Sequence, residues 1–202
     1  MRAIGRRSFA MRFVAAALVL LLAPAAPLAA QPVNGFSGTT ILLIRHAEKP
    51  PEDSNDRGLI PAGQARAKAY ADYFRNFSVD GKMLKIDTLI ATADSRKSDR
   101  PRLTVTPFSQ ASGLPIQQPF ADKQVKELAD MIAAGAPHRT ILIAWHHGKM
   151  PALLDALGAD SKSLVGTAWP PQTFDWVIYL HYDESGHLDA SRRIVEPAGL
   201  AG

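Results

Sequence analysis

Two stretches of the chain carry an unbroken series of apolar side chains: Ile41-Leu42-Leu43-Ile44, inside TTILLIR (39–45), and Ile141-Leu142-Ile143-Ala144-Trp145, inside TILIAWHHG (140–148). Successive side chains of a strand point to opposite faces, so strands apolar at every position must be covered on both sides. IDTLIATA (86–93) reads as a further strand, and PIQQPF (115–120) holds a short one. Helical signals fall between them. PAGQARAKAYADYFRNF (61–77) has Pro61 in its first turn and places Ala65, Ala69, Tyr73 and Phe77 on one face. PRLTVTPFSQASG (101–113) reads as a helix interrupted near Pro107 and closed by Gly113. DKQVKELADMIAAG (122–135) is amphipathic, and PALLDALG (151–158) supplies another helix. Residues 174–197 read as an antiparallel hairpin turning at Glu184-Ser185-Gly186. The alternation predicts an α/β fold: a three-layer α/β/α arrangement with a mainly parallel central sheet and a C-terminal antiparallel hairpin.

The first thirty residues stand apart. MRAIGRRSFAMR holds Arg2, Arg6, Arg7 and Arg12 without an acid, FVAAALVLLLA is an apolar run of 11 residues, and PAAPLAAQ ends it with small side chains. That is the three-part pattern of a secretory leader, with cleavage expected near Ala30 and residues 31–202 forming a single domain. The run falls short of the roughly 20 apolar residues that span a bilayer, so no stable membrane anchor is expected after cleavage. Arg6-Arg7-Ser8-Phe9 also resembles a twin-arginine export signal. Loss of the leader takes four of the 23 basic side chains and leaves 19 against 19 acidic ones. That balance gives no reason to expect a nucleic-acid partner. Without cysteine there is no disulfide, thiolate metal site or thiol nucleophile. The expected location is periplasmic or secreted.

Both long apolar strands end in histidine. Ligands of parallel sheets bind beyond the carboxyl ends of the strands, and right-handed crossovers bring Arg45, His46, His146 and His147 to one rim. Neutral imidazole is a good nucleophile toward phosphorus. A phosphoryl group in flight spreads its charge over three oxygens, so its transfer rests on fixed cationic donors. The arginine fork matches those oxygens, and its permanent charge keeps a neighbouring histidine neutral.

These residues carry a family resemblance. LLIRHAEKP (42–50) resembles the signature of the histidine phosphatase superfamily, the phosphoglycerate mutase-like fold, whose first strand ends in Arg-His-Gly or Arg-His-Ala. GLIPAGQARA (58–67) resembles the family's Leu-Thr-x-x-Gly-x-x-Gln-Ala segment. ATADSRKSDRPRLTVTPFSQASGLPI (91–116) resembles the second segment, in which an arginine precedes a helical threonine by four residues, here Arg100 and Thr104. ILIAWHHGKMPALLDALG (141–158) resembles the last motif, a strand ending in histidine before a helix rich in alanine and leucine. The four segments span most of residues 39–196 in the family's order.

The resemblance implies a phosphomonoesterase that needs no metal or cofactor and acts on a phosphorylated small molecule or a phosphoprotein. His46 would be the nucleophile that is transiently phosphorylated, and Arg45 and Arg100 would bind the phosphoryl oxygens. His146 would stabilise the phosphoryl charge, with His147 the alternative for that place. Arg57 and Glu48 are further substrate-binding candidates. The family's general acid is usually a carboxylate; Asp122 is one candidate here and His147, as imidazolium, another. Arg96, Lys97 and Arg102 either extend an anionic pocket or belong to a solvated loop.

A mutase depends on a cytosolic pool of phosphorylated donor, so the leader favours hydrolysis. The alternative is a catalytically weak or inactive phosphate- or phosphopeptide-binding module on the same fold. A metal hydrolase using His46, His146, His147 and Glu48 is a third reading, weakened because neighbours on a strand point apart. His138, His181 and His187 read as surface or edge positions, and Trp145, Trp169 and Trp176 as packing. WPPQ (169–172) is either a loop over the site or a stiffened connection.

Overall fold

The computed structural model describes residues 34–200, so the leader read over 1–30 lies outside the described residues. The elements are β1 (Thr40–Arg45), α1 (Pro61–Arg75), β2 (Ser78–Val79), β3 (Lys82–Met83), β4 (Thr88–Ala91), α2 (Arg100–Ser112), β5 (Ile116–Gln117), α3 (Val125–Ala133), β6 (Thr140–Trp145), α4 (Met150–Ala156), α5 (Ser161–Val165), β7 (Trp176–Tyr182) and β8 (Leu188–Val195). The main sheet runs β5-β4-β6-β1-β7-β8, and β2 and β3 form a separate small hairpin. The first four strands of that order are parallel. β7 and β8 run antiparallel, as the terminal hairpin required.

The apolar runs sit at the centre. All six side chains of β1 are buried, and they divide by parity. Ile41 and Leu43 pack with Leu128, Ile132, Leu153 and Leu154 on one face. Leu42 and Ile44 pack with Tyr70, Phe74, Val105 and Phe108 on the other. The fold is therefore three layers, with α1 and α2 on one side of the sheet and α3, α4 and α5 on the other. Among the described residues, no helix is long and apolar enough to cross a membrane.

Two local expectations are corrected. α1 buries Gly63, Ala67, Tyr70 and Phe74, while Ala65 is exposed and Ala69 and Tyr73 are half-buried. Alanine at many positions blurs the helical stripe, and the aromatic pair Tyr70 and Phe74 sets the rotation by packing edge-on, 5.0 Å between centroids. Gly63 packs against the segment just beyond β1, so closely that a Cβ there would lie 2.3 Å from the Glu48 carbonyl oxygen. α2, in turn, continues through Pro107. The proline withdraws one helical donor, but burial of Thr104, Val105 and Phe108 on either side holds the helix together. α2 ends at Gly113, whose φ of 78° suits a residue without Cβ.

A buried ionic cluster ties the chain just beyond β1 to α1 and to the end of β8. Arg66 donates to both carboxylate oxygens of Glu48 at 2.8–3.1 Å and also pairs with Glu196. The Tyr70 hydroxyl donates to Glu196 Oε1 at 2.6 Å. One guanidinium thus serves two carboxylates, and burial outweighs Tyr70 and Arg66 to push the Glu196 carboxyl up to about 7. A carboxyl whose folded value is raised holds its proton more tightly when folded. Its contribution is complete below the ordinary value of 4.5 and is lost as pH rises toward 7. Thermal stability should therefore decline between pH 5 and pH 8, and Glu196→Gln should flatten that slope; parallel slopes in the two proteins would refute the assignment.

Candidate active site

The register of β1 and β6 builds the centre of the site. Arg45 pairs with Trp145, and the next residue of each strand is a histidine. The His46 amide extends the pairing by donating to the Trp145 carbonyl at 3.0 Å. The His46 and His146 rings meet edge-on, 5.3 Å between centroids and inclined at 67°.

His46 is buried and oriented. Its Nδ1 lies 2.8 Å from the Ala47 carbonyl oxygen. A carbonyl only accepts, so Nδ1 carries the hydrogen and Nε2 the lone pair. Burial, followed by Arg45, His146 and Arg100, holds the ring well below the ordinary histidine range, against the opposing pull of that carbonyl. It is a neutral imidazole with a free nitrogen. The residue is only 1% exposed.

Thr104 couples this histidine to the second arginine. Its buried hydroxyl accepts from the Ala47 amide at 2.8 Å and donates to the Arg100 carbonyl at 2.8 Å. Arg100 opens α2 and donates from Nε to the Gly58 carbonyl (3.0 Å) and from Nη2 to the Asp56 carbonyl (2.8 Å). The threonine noticed in sequence only as a spacing marker is thus a physical link.

Arg45 is buried on the opposite parity from His46. Its Nη1 donates to the carbonyls of Pro171 (2.8 Å), Thr173 (3.0 Å) and Pro170 (3.3 Å), and its guanidinium lies 3.9 Å from the centre of the Phe174 ring. The WPPQ stretch is therefore a loop bound onto the rim. Nη2 donates to His147 Nδ1 at 3.3 Å, while Nε is buried without a partner among the described residues. Burial lowers the Arg45 guanidinium only to about 10, so it remains a cation at neutral pH.

The histidine doublet separates. His146, which continues the extended backbone of β6, lines an open cavity of about 590 Å³ together with Arg100 and Asp122. Burial lowers its pKa, with Asp122 opposing. His147 begins a single turn of 3₁₀ helix and faces Arg45. Burial, then Arg45 and Lys49, push His147 down to about 4, and its Nδ1 accepts from a permanent cation. Both facts argue against His147 as an imidazolium proton donor. Asp122 sits on the loop after β5, held there because Trp145 Nε1 donates to its carbonyl at 3.1 Å.

Two expected substrate contacts are engaged elsewhere. Arg57 pairs with Asp99, and its side chain is half-exposed. Glu48 is taken by Arg66 and lines a separate cavity of about 440 Å³ with Phe174, Ile60 and Pro171. His138, His181 and His187 pair with Glu184, Asp189 and Asp183, in and beside the terminal hairpin. Among the described residues, no three His, Asp or Glu side chains gather in a way that could hold a metal ion.

No protein-family model and no curated protein matches the chain in sequence. Solved structures do match in shape. Bacillus stearothermophilus YhfR superposes with a TM-score of 0.56 at 14% identity, over 81% of this chain and all of that one. A protein described as a candidate phosphohistidine phosphatase SixA from Agrobacterium tumefaciens superposes with a TM-score of 0.51 at 22% identity, over 71% of this chain and 92% of that one. Layer order, strand order and these likenesses agree: the chain has the phosphoglycerate mutase-like fold, the fold of the histidine phosphatase superfamily.

Proposed function

We propose that the chain is a phosphomonoesterase acting through a phosphohistidine at His46. The observation that carries this reading is the state of that ring: neutral, its Nδ1 hydrogen fixed by the Ala47 carbonyl and its Nε2 lone pair free, beside His146 and within the field of Arg45 and Arg100. In the first step Nε2 bonds to phosphorus as the ester P–O bond breaks, and the departing oxygen takes a proton from the Asp122 carboxyl. In the second, water attacks the phosphohistidine, Asp122 takes a proton from that water, and inorganic phosphate leaves with His46 restored. Arg100, His146 and the unpartnered Nε of Arg45 stabilise the transferring group as fixed donors. The resemblance to a protein described as a phosphohistidine phosphatase supports a phosphorylated histidine as one substrate class; a small phosphate ester is the other this reading allows.

The test is to incubate the protein with a ³²P-labelled phosphate ester in EDTA and quench in alkali. An acid-labile, alkali-stable label on His46 is expected. A folded protein that neither takes label nor turns over, from acid to neutral pH, would instead be a phosphate-binding module.

Asp122 has its own signature. In Asp122→Asn, kcat for an alkyl phosphate should fall about 10²–10⁴-fold, whereas a p-nitrophenyl ester, whose leaving group needs no proton, should change far less. Equal losses on both esters would remove Asp122 from the acid role.

Export belongs to the same proposal: the leader pattern of residues 1–30 supports a working domain outside the cytoplasm. N-terminal sequencing of the chain recovered from the envelope fraction should begin near Gln31, and an intact Met1 would sink the idea.

A further inference from the structure

A charged cluster that no step of the mechanism uses lies two residues from the nucleophile. His46 Nδ1 donates to the Ala47 carbonyl oxygen at 2.8 Å, and the Ala47 amide donates to Thr104 Oγ1 at 2.8 Å. The next residue is Glu48. The peptide between Ala47 and Glu48 therefore supplies the acceptor that decides which nitrogen of His46 holds its hydrogen. That peptide is held from its far side through Glu48. The Glu48 carbonyl accepts from the Ile60 amide at 3.2 Å, and its carboxylate accepts from Arg66 Nε and Nη2 at 2.8–3.1 Å. α1 presses so closely here that a Cβ on Gly63 would lie 2.3 Å from the Glu48 carbonyl oxygen and 2.9 Å from its nitrogen. Ala67, beside Arg66 on the same helix, packs with Ala47 itself.

Arg66 is itself fixed. Its Nη1 donates to Glu196, whose side chain is fully buried, and the Tyr70 hydroxyl donates to the other Glu196 oxygen at 2.6 Å. Buried ion pairs add little stability over apolar packing of the same volume, because both charges must first leave water. An apolar side chain at position 66 would hold α1 in place as well. What it would not supply is the planar, two-pronged grip that sets the direction of the Glu48 side chain, and with it the angle of the preceding peptide. The distinctive contribution of the cluster is geometric.

We propose that Arg66 is a positioning residue for the His46 nucleophile: its grip on Glu48 fixes the Ala47–Glu48 peptide, whose carbonyl selects the imidazole tautomer with Nε2 free. This rests on the reading of His46 as the phosphoryl acceptor, and it gives a part in that reaction to a side chain outside the phosphoryl pocket. Released from the grip, the peptide rotates and the bond from Nδ1 is lost for part of the time. The ring then carries its hydrogen on either nitrogen, and only the form with Nε2 free attacks phosphorus.

The test is Glu48→Ala, which removes the grip but leaves Arg66 paired with Glu196, so the buried carboxylate keeps its cation. In protein labelled with ¹⁵N-histidine, comparison with His46→Ala identifies the ring signals of residue 46. At neutral pH the wild type should show a protonated Nδ1 and an unprotonated Nε2. In Glu48→Ala the two signals should move toward each other, and kcat for p-nitrophenyl phosphate should fall about 10–100-fold with KM within about twofold of wild type. Glu48→Gln, whose carboxamide oxygen still accepts one bond from Arg66, should recover part of both effects. Arg66→Lys, with one ammonium in place of the fork, should move the signals as Glu48→Ala does, and it carries the test if Glu48→Ala does not fold. A merely structural role would lower Tm and leave the ring signals in place. Wild-type ring signals in folded Glu48→Ala or Arg66→Lys would therefore overturn the proposal. The signals are read in the resting protein, so they stand apart from turnover. A wild-type chain that takes no ³²P label, with signals that still move in Glu48→Ala, would uphold the grip and sink only the phosphohistidine reading.

Discussion

His46→Ala should hydrolyse p-nitrophenyl phosphate at least about 10³-fold more slowly than the wild type, whose own rate should be indifferent to EDTA. On the proposed mechanism the variant loses the atom that would bond to phosphorus, and no neighbour replaces it. His147 Nδ1 is turned toward Arg45, and His146 lines the adjoining cavity. Far-UV circular dichroism must show a folded variant for the loss to count. The pH profile provides a second reading. An ordinary histidine would be half protonated near pH 6.5, but burial keeps His46 neutral well below that value. Wild-type turnover should therefore persist through pH 6, where an exposed imidazole would already be failing. A depressed folded value contributes stability above pH 6.5 that is lost as pH falls toward the folded value. His46→Ala should accordingly show less acid destabilisation than the wild type. A rate that survives the substitution would end the phosphohistidine mechanism.

Arg45→Ala should be the most damaging single change for the fold near the site. It removes the donor shared by the Pro170, Pro171 and Thr173 carbonyls and the cation lying over Phe174. Stranding such acceptors should cost about 3 kcal/mol or more. At this chain length that corresponds to a Tm lower by about 6–12 °C. Arg45→Lys should recover little, because one ammonium cannot span three carbonyls while stacking on the ring. Activity should fall with both variants, since Nε and the loop position are lost together. A Tm within a degree of wild type for Arg45→Ala, measured by calorimetry, would show that the loop is held by other contacts.

The sheet was readable because burial on both faces leaves a mark in composition. β1 and β6 have no polar side chain between their threonines and their rim, and their register follows from the histidines that end them. Local elements were less readable where the deciding partner lies far along the chain. The rotation of α1 depends on how Tyr70 and Phe74 meet Phe108 and on Gly63 meeting Glu48, none of which shows in the alternation of alanines. Arg45 was expected to bind the phosphoryl oxygens with Arg100; its grip on carbonyls 125 residues later had no local signal. Arg57 and Glu48 were plausible by position, yet Asp99 and Arg66 hold them elsewhere. The place of Asp122 beside the cavity likewise had no local signal, since its loop is fixed by a bond from Trp145, 23 residues later.

The strand order carries one more consequence, concerning how such a site comes into being. β1 lies between β6 and β7, so residue 45 meets its partners only after residues 140–182 have been placed. The pieces of the rim come from positions 45–47, 100–104, 122, 145–147 and 170–174. No shorter fragment than 45–174 contains them all. Contacts this distant in sequence close late and slowly. A chain still emerging from synthesis, or one held unfolded, therefore has a histidine at position 46 but none of the rim that surrounds it in the folded domain.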